Sequence, residues 1–170
     1  MYWINKGSRP GETWIYFSSA EDKIAVIEIK KILAPTDLSI LSIPAIRYAL
    51  DVGLERNAEV IVYHVIATDY GFGEDDPLNP ASALMPQQQE RLEAFMEENF
   101  AGQVKSVKIT QQVECGDPYQ KIVAKAERER ADLIVMSTHG RTGLEHLIVG
   151  SVTAKVVARA GCPVLSIKPK

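Results

Sequence analysis

Asp132-Leu-Ile-Val-Met136 begins the stretch of sequence that decides the fold, which continues as Ser137-Thr-His-Gly140-Arg-Thr-Gly143 and reaches Gly150-Ser151-Val-Thr153. The first segment has the composition of a buried strand, and the residues after Gly150 have that of a short helix. A loop punctuated by glycine therefore joins a strand to a helix N-terminus. This layout is typical of a site that binds an anion.

Gly140, Gly150 and Ser151 carry the strongest prediction of function. Glycine lets the backbone come close to an anion, and the free N–H groups and the dipole of a helix N-terminus attract negative charge. Ser151 adds a hydroxyl donor, and the next two backbone amides lie in the first helical turn, where no carbonyl of the helix uses them. Arg141 is equally a phosphate ligand or a solvated loop cation. The segment predicts binding of a phosphate chain.

Length and composition exclude several classes of protein. The chain has 170 residues, 46% of them hydrophobic and 24% charged, as expected for a single globular domain. Its net charge of −3 argues against a nucleic-acid-binding protein. We find no apolar run long enough for a membrane span and no signal-peptide core. Cys115 and Cys162 lack the close spacing of a metal site and are expected to be buried thiols. These points together predict a cytoplasmic protein.

Short β-rich segments alternate with helical patterns along the chain, which predicts an α/β fold with a parallel sheet. Pro44 places the start of the first helix at Ser42, since a start at Ser39 would put proline in the second turn. Asp117 and Pro118 form a typical helix start, with a capping carboxylate followed by proline. The predicted strands are residues 31–35, 59–66, 107–113, 132–136 and 164–167.

The spacing of Ser137, Gly140 and Gly150-Ser151 resembles the nucleotide-binding signature of the universal stress protein family. Pro35-Thr36-Asp37 after the first strand and His64-Val65 in the second resemble the two other ligand-contacting segments of that family. The resemblance covers roughly residues 30–169. It implies a three-layer, Rossmann-like fold whose five-stranded parallel sheet has the order 3-2-1-4-5. In such sheets, ligands bind where the strand order reverses, which lies between strands one and four.

The resemblance also implies a ligand, ATP, with Mg²⁺ held through the phosphates. It assigns the phosphates to Ser151 and Val152, and the adenine edge to the backbone of Val65. Asp37 is either a local cap of its turn or the acceptor of a ribose hydroxyl hydrogen bond. The full set of expected nucleotide-binding residues is Pro35, Thr36, Asp37, Val65, Met136, Ser137, Gly140, Arg141, Gly150, Ser151, Val152 and Thr153.

The histidines do not predict catalysis. No carboxylate has a clear spacing that would orient His139 as a base, and no serine or cysteine adjoins it as a nucleophile. His64 lies within a strand and is expected to have a packing or polar structural role. We therefore expect a regulatory, stress-response protein that binds ATP and is not an enzyme. The alternatives are an AMP or cyclic-AMP binder, a slow ATPase, and a ligand-free dimeric scaffold.

Residues 1–29 form an extension outside the resemblance, which assigns residues 30–170 to the universal stress protein domain. Two β-prone segments, residues 14–17 and 24–27, predict either a hairpin or a flexible tail. We also expect a homodimer through the last strand, since family members commonly dimerise there. If strand five ends the sheet, its apolar edge has unpaired backbone groups that would favour pairing with a second copy. The sequence does not identify any other protein partner.

Overall fold

A computed structural model describes residues 2–5, 14–17, 28–67, 83–139 and 150–169. Seven strands and four α-helices lie in these segments. The strands are β1 (Tyr2–Asn5), β2 (Trp14–Phe17), β3 (Lys31–Thr36), β4 (Glu59–Ala67), β5 (Ile109–Gly116), β6 (Leu133–Ser137) and β7 (Val164–Ile167). The helices are α1 (Ile43–Arg56), α2 (Met85–Val104), α3 (Pro118–Glu129) and α4 (Ser151–Arg159), and a 3₁₀ turn (Ile40–Ser42) precedes α1.

The strands form one sheet in the order β1-β2-β7-β6-β3-β4-β5. The five strands from β3 onward are parallel, and their order confirms the predicted arrangement 3-2-1-4-5. Ile32 of β3 lies beside Val60 of β4 on one side and Leu133 of β6 on the other. The carboxyl ends of β3, β4 and β6 therefore meet at one edge, where the strand order reverses.

The N-terminal extension adds two antiparallel strands to this sheet. β1 pairs with β2, and β2 pairs with β7 through Trp14 opposite Ser166 and Tyr16 opposite Val164. The expectation that β7 ends the sheet with an open edge is therefore wrong. Sequence reasoning failed here because it took the edge from the five-stranded arrangement alone, although the chain supplies its own strand to cover it.

Two hydrophobic layers pack on the two faces of the sheet. Side chains alternate between faces along each strand, so Ile32 joins the layer under α1 and α2, whereas Leu33 joins the layer under α3 and α4. Gly53 permits close packing in the first layer. A Cβ atom there would lie 2.6 Å from Cγ2 of Val60 and 3.1 Å from Cγ1 of Val107.

The predicted helix starts are confirmed. Ser42 precedes α1 and Pro44 lies in its first turn. The side chain of Asp117 accepts hydrogen bonds from the backbone amides of Tyr119 and Gln120 at the start of α3. The third predicted strand begins two residues later than expected, at Ile109. Among the described segments, no helix has the combination of length and hydropathy that a bilayer crossing requires.

Candidate functional site

A cavity of about 490 Å³ opens at the carboxyl ends of β3, β4 and β6 and reaches the N-terminus of α4. It brings together residues that lie far apart in the sequence. Ten of the twelve expected nucleotide-binding residues line it, and the other two, Gly140 and Arg141, lie outside the described residues. The ten are Pro35, Thr36, Asp37, Val65, Met136, Ser137, Gly150, Ser151, Val152 and Thr153.

Gly150 stands at the N-terminus of α4 and is held close to the end of β6. Its backbone amide donates a hydrogen bond of 2.6 Å to the carbonyl oxygen of Thr138. A Cβ atom at position 150 would lie 3.0 Å from that oxygen, closer than almost all such contacts in proteins. The φ angle of −64° suits any residue. Glycine therefore fits here because of the close approach to Thr138, and not because of its backbone conformation.

The first turn of α4 contributes Ser151, Val152 and Thr153 to the lining of the cavity. Ser151 is exposed and Val152 is half-buried, so both are accessible to a ligand. Thr153 is buried, and its hydroxyl donates a hydrogen bond of 2.8 Å to the carbonyl oxygen of Ser137. The side chain of Thr153 thus fastens the helix to the strand, which leaves backbone amides and Ser151 to meet an anion.

Asp37 follows β3 and caps the turn after it. Its Oδ1 accepts hydrogen bonds from the backbone amide of Ser39 at 3.0 Å and from the Ser39 hydroxyl at 2.6 Å. This is the local role considered from the sequence. It does not prevent the second role, because a carboxylate has several lone pairs and Asp37 also lines the cavity.

The turn that presents Asp37 is rigidly hydrogen-bonded. The Thr36 hydroxyl lies 2.8 Å from the Ser42 hydroxyl and accepts a hydrogen bond of 3.0 Å from the amide of Leu38. Leu38 has a φ of 62°, in the left-handed region that an L-residue adopts only at a cost. The surrounding bonds hold this conformation and thereby fix the carboxylate of Asp37 at the cavity.

Two histidines line the cavity. Neither was in the set of expected nucleotide-binding residues, although His64 belongs to the His64-Val65 segment that resembles a ligand-contacting segment of the family. Nδ1 of buried His64 lies 2.9 Å from the carbonyl oxygen of Thr36 and links β4 to β3. Nδ1 of His139 lies 2.8 Å from the hydroxyl of Thr138. Both contacts are structural, as expected for His64. His146 lies outside the described residues.

Further cavity residues come from the two helices that follow β4 and β5. Pro118 and Ile122 of α3 and Gln88 of α2 also line the cavity. Pro118 could have been inferred, because the helix after β5 must begin at the same edge of the sheet. Gln88 could not, since its position depends on the path of the long segment between β4 and α2.

Both cysteines are free thiols, and Cys115 is buried as expected, whereas Cys162 is half-buried. Burial raises the pKa of the Cys162 thiol to about 11, and the charge of Asp132 adds to this shift. Burial also raises the pKa of Cys115, against the opposing charge of Lys121. Across the described segments, no group of three or more His, Cys, Asp or Glu side chains is placed to hold a metal ion.

The fold and the site define a doubly wound α/β protein with a cavity where the strand order reverses. Residues 28–168 match the model of the Universal stress protein family. The chain belongs to the universal stress protein family. It is 37% identical over 141 residues to Universal stress protein MJ0531 of Methanocaldococcus jannaschii, and the match covers 82% of each chain.

Solved structures of universal stress proteins share this fold. The structure of MJ0577, from the same organism, superposes with a TM-score of 0.68 at 30% identity and covers 85% of this chain and 99% of its own. Two other structures of this fold contain nucleotides. A universal stress protein in complex with cAMP has a TM-score of 0.55 at 22% identity, covering 84% of this chain and 98% of its own. An AMP-bound protein from Arabidopsis thaliana has a TM-score of 0.51 at 24% identity, covering 83% and 92%.

Proposed function

We propose that this chain binds ATP in the cavity at the end of the sheet and acts as a nucleotide-dependent regulatory module in a stress response. One observation carries the proposal. The fold gathers Asp37, Val65 and the Gly150-Ser151 helix start around one cavity, and these have the chemistry that ribose, base and phosphates require.

The phosphates would lie against the N-terminus of α4. Free backbone amides, the helix dipole and the hydroxyl of Ser151 all favour negative charge there. Asp37 is an acceptor and would repel phosphate, so it suits the hydroxyls of the ribose. We propose that Mg²⁺ is held by phosphate oxygens and water, as is usual for this cation with nucleotides.

We further propose that the protein is not an enzyme. The sequence supports this, because it contains no P-loop motif whose lysine would hold the β- and γ-phosphates. A steady-state ATPase rate in the usual enzyme range of about 1–10³ s⁻¹ would overturn this part of the proposal. The rate must disappear in the Gly150→Val variant, which excludes a contaminant.

A second candidate function is binding of AMP or cyclic AMP. It is favoured by the two proteins of this fold that contain these ligands. ADP, AMP and cyclic AMP therefore belong in the same assay as ATP. A slow ATPase would release phosphate from ATP, whereas a ligand-free dimeric scaffold would bind none of the four nucleotides.

We propose that the chain forms a homodimer through β7, and this requires a change in the pairing of that strand. β2 pairs with β7 in this chain, so two copies can meet along β7 only if β2 leaves it. We also propose that the protein is cytoplasmic and that it has a further protein partner, which the sequence does not identify.

Thermal unfolding with and without ligand tests nucleotide binding. At a hundredfold excess of ligand over Kd, binding stabilises the folded state by about 2.7 kcal/mol, and we expect Mg-ATP to raise the Tm accordingly. Gly150→Val should remove this rise, because its Cβ atom would press against the carbonyl oxygen of Thr138 and displace the helix start that is proposed to meet the phosphates. Gly102→Val is the matched control, since a Cβ atom at Gly102 meets nothing within 4 Å. If no adenine nucleotide raises the Tm of the wild-type chain, the proposal is wrong.

A further inference from the structure

Tyr119, Lys155 and Arg159 form a group of side chains between α3 and α4, which we call the rim cluster. Nζ of Lys155 lies 4.7 Å from the centre of the Tyr119 ring, and Cζ of Arg159 lies 5.2 Å from it. The ring itself is partly buried against the hydrophobic layer under these two helices. Both cations thus contact a side chain that the fold holds in place.

The rim cluster lies at the border of the cavity. Tyr119 directly follows Pro118, which lines the cavity, and Lys155 comes one helical turn after Ser151, which lines it as well. The Cα atoms of Ser151 and Lys155 are separated by about 6 Å along the helix axis. Helical side chains lean toward the N-terminus of their helix. The ammonium of Lys155 therefore extends back toward the helix start that is proposed to bind phosphate.

The cavity itself offers little positive charge to a nucleotide. Among the described residues that line it, none is a lysine or an arginine, and Asp37 adds a negative charge. The start of α4 supplies only a partial positive charge, about half an elementary charge. A chain of several phosphates would therefore gain from a cation at the border of the cavity.

Lys155 has no ion pair that would compete with such a contact. The ion pairs formed within the described segments include neither Lys155 nor Arg159, and α4 contains no aspartate or glutamate. Lys155 is exposed, and the contact of an exposed ammonium with an aromatic ring is weak compared with its contact with a phosphate. Lys155 can therefore leave the ring of Tyr119 when a phosphate comes within reach.

We propose that Lys155 moves from Tyr119 to the terminal phosphate of a bound nucleotide and thereby makes the site prefer a triphosphate to a monophosphate. The inference rests on the proposed nucleotide binding and adds the residue that distinguishes ATP from AMP. The start of α4 can hold the phosphate of AMP or one phosphate of ATP, so it does not separate the two. A triphosphate extends farther, and a lysine one turn along α4 can contact its end. Arg159 lies a further turn away and stays on the ring.

Calorimetry on the full chain with Mg-ATP and AMP tests the inference. We expect the wild type to bind Mg-ATP more tightly than AMP. Lys155→Met removes the charge and keeps a side chain of similar length. It should weaken Mg-ATP binding about tenfold, which corresponds to about 1.4 kcal/mol, and leave AMP binding nearly unchanged. Lys155→Arg keeps a cation and should retain most of the preference. The affinity of Lys155→Met for Mg-ATP should also depend less steeply on salt, because one ion pair is missing.

Lys105→Met is the matched control. Lys105 is exposed and lies between α2 and the start of β5, at the edge of the sheet opposite to the cavity. This variant loses the same charge and should change neither affinity.

Four results would overturn the inference and leave nucleotide binding standing. The first is a wild type that does not prefer Mg-ATP, and the second is a ratio of affinities that Lys155→Met does not change. The third is an equal loss of both nucleotides in Lys155→Met, which would show a structural role in α4. The fourth is an equal effect of Lys105→Met, which would show an effect of net charge alone. If the wild type binds neither nucleotide, the proposed function and this inference fail together.

Discussion

The hydroxyl of Thr153 donates a hydrogen bond of 2.8 Å to the carbonyl oxygen of Ser137, which joins the first turn of α4 to the last residue of β6. Thr153 is buried, so water cannot replace this bond. The position of the helix N-terminus relative to the strand end thus depends on a side chain that the sequence suggested as a ligand contact. This bond gives the first prediction.

Thr153→Val should destabilise the fold and weaken nucleotide binding. It keeps the shape of the side chain but leaves the Ser137 oxygen without its donor, at a cost of about 1–3 kcal/mol. Urea unfolding measures the stability and calorimetry the affinity. Thr153→Ser keeps the hydroxyl and should retain the affinity. Thr110→Val removes another hydroxyl, which donates to Glu59 at the opposite end of the strands. If Thr110→Val weakens binding as much as Thr153→Val does, the positioning role of Thr153 is refuted.

The ion pair between Lys125 and Glu129 predicts how the stability of the fold depends on pH. Lys125 is buried, and its Nζ lies 3.1 Å from Oε1 of Glu129, while Lys31 lies 3.2 Å from the other carboxylate oxygen. The hydrogen bond from Lys125, followed by that from Lys31, lowers the pKa of Glu129. A carboxyl whose pKa is lower in the folded state stabilises the fold above its unfolded pKa, and this contribution is lost as the pH falls through the folded pKa.

Glu129→Gln should therefore lower the free energy of unfolding by up to about 1 kcal/mol at pH 7. The difference from the wild type should shrink as the pH falls below about 4, the ordinary range for glutamate. Urea unfolding over pH 3–7 measures it. Glu127→Gln, an exposed residue of the same helix, is the control and should change stability little at any pH. A deficit that is constant from pH 7 to pH 3 would argue against a charge effect.

Cys162 should react slowly with thiol reagents. With its pKa raised to about 11 by burial and by Asp132, only a small fraction is thiolate at pH 8, and the thiolate is the reactive form. We expect labelling of the Cys115→Ser variant to be at least about tenfold slower when folded than in denaturant, where thiol pKa values are near 8.5. Equal rates in the two states would contradict the burial of this thiol.

The pairing of β2 with β7 predicts the effect of the N-terminal extension on self-association. Ile15 lies opposite Leu165, and proline at position 15 would disfavour a strand there. If β2 covers an edge that otherwise associates, Ile15→Pro should increase the average mass in sedimentation experiments at micromolar concentration. Ile15→Val is the control, since it keeps the strand. An unchanged mass would mean that exposing β7 is not sufficient for association.

Local sequence patterns were enough to predict much of this fold. Pro44 and the Asp117-Pro118 pair fixed two helix starts, because proline tolerates only the first turn of a helix. The parallel core followed from alternation of strands and helices, and the strand order from the family resemblance. The Gly150-Ser151 pair located the end of the cavity, since anion-binding loops have a recognisable composition.

Contacts between segments distant in sequence could not be predicted in the same way. Nothing in the sequence indicates that the hydroxyl of Thr153 would turn to Ser137 instead of to a ligand. The docking of β2 on β7 requires knowing where two separated segments meet. Gln88 reaches the cavity only because α2 packs where it does, and no local pattern marks that residue.

The hydrogen bond between the amide of Gly150 and the carbonyl of Thr138 allows the segment between these two residues to vary in sequence and length. The chain leaves Thr138 and returns to Gly150 at almost the same point in space, so the core need not move when the intervening segment changes. Doubling the length of such a closed segment costs only about 0.6 kcal/mol in loop entropy. This segment can therefore be exchanged for one of different length and charge while the scaffold stays intact. We expect that the proposed nucleotide preference can be changed by transplanting this single peptide.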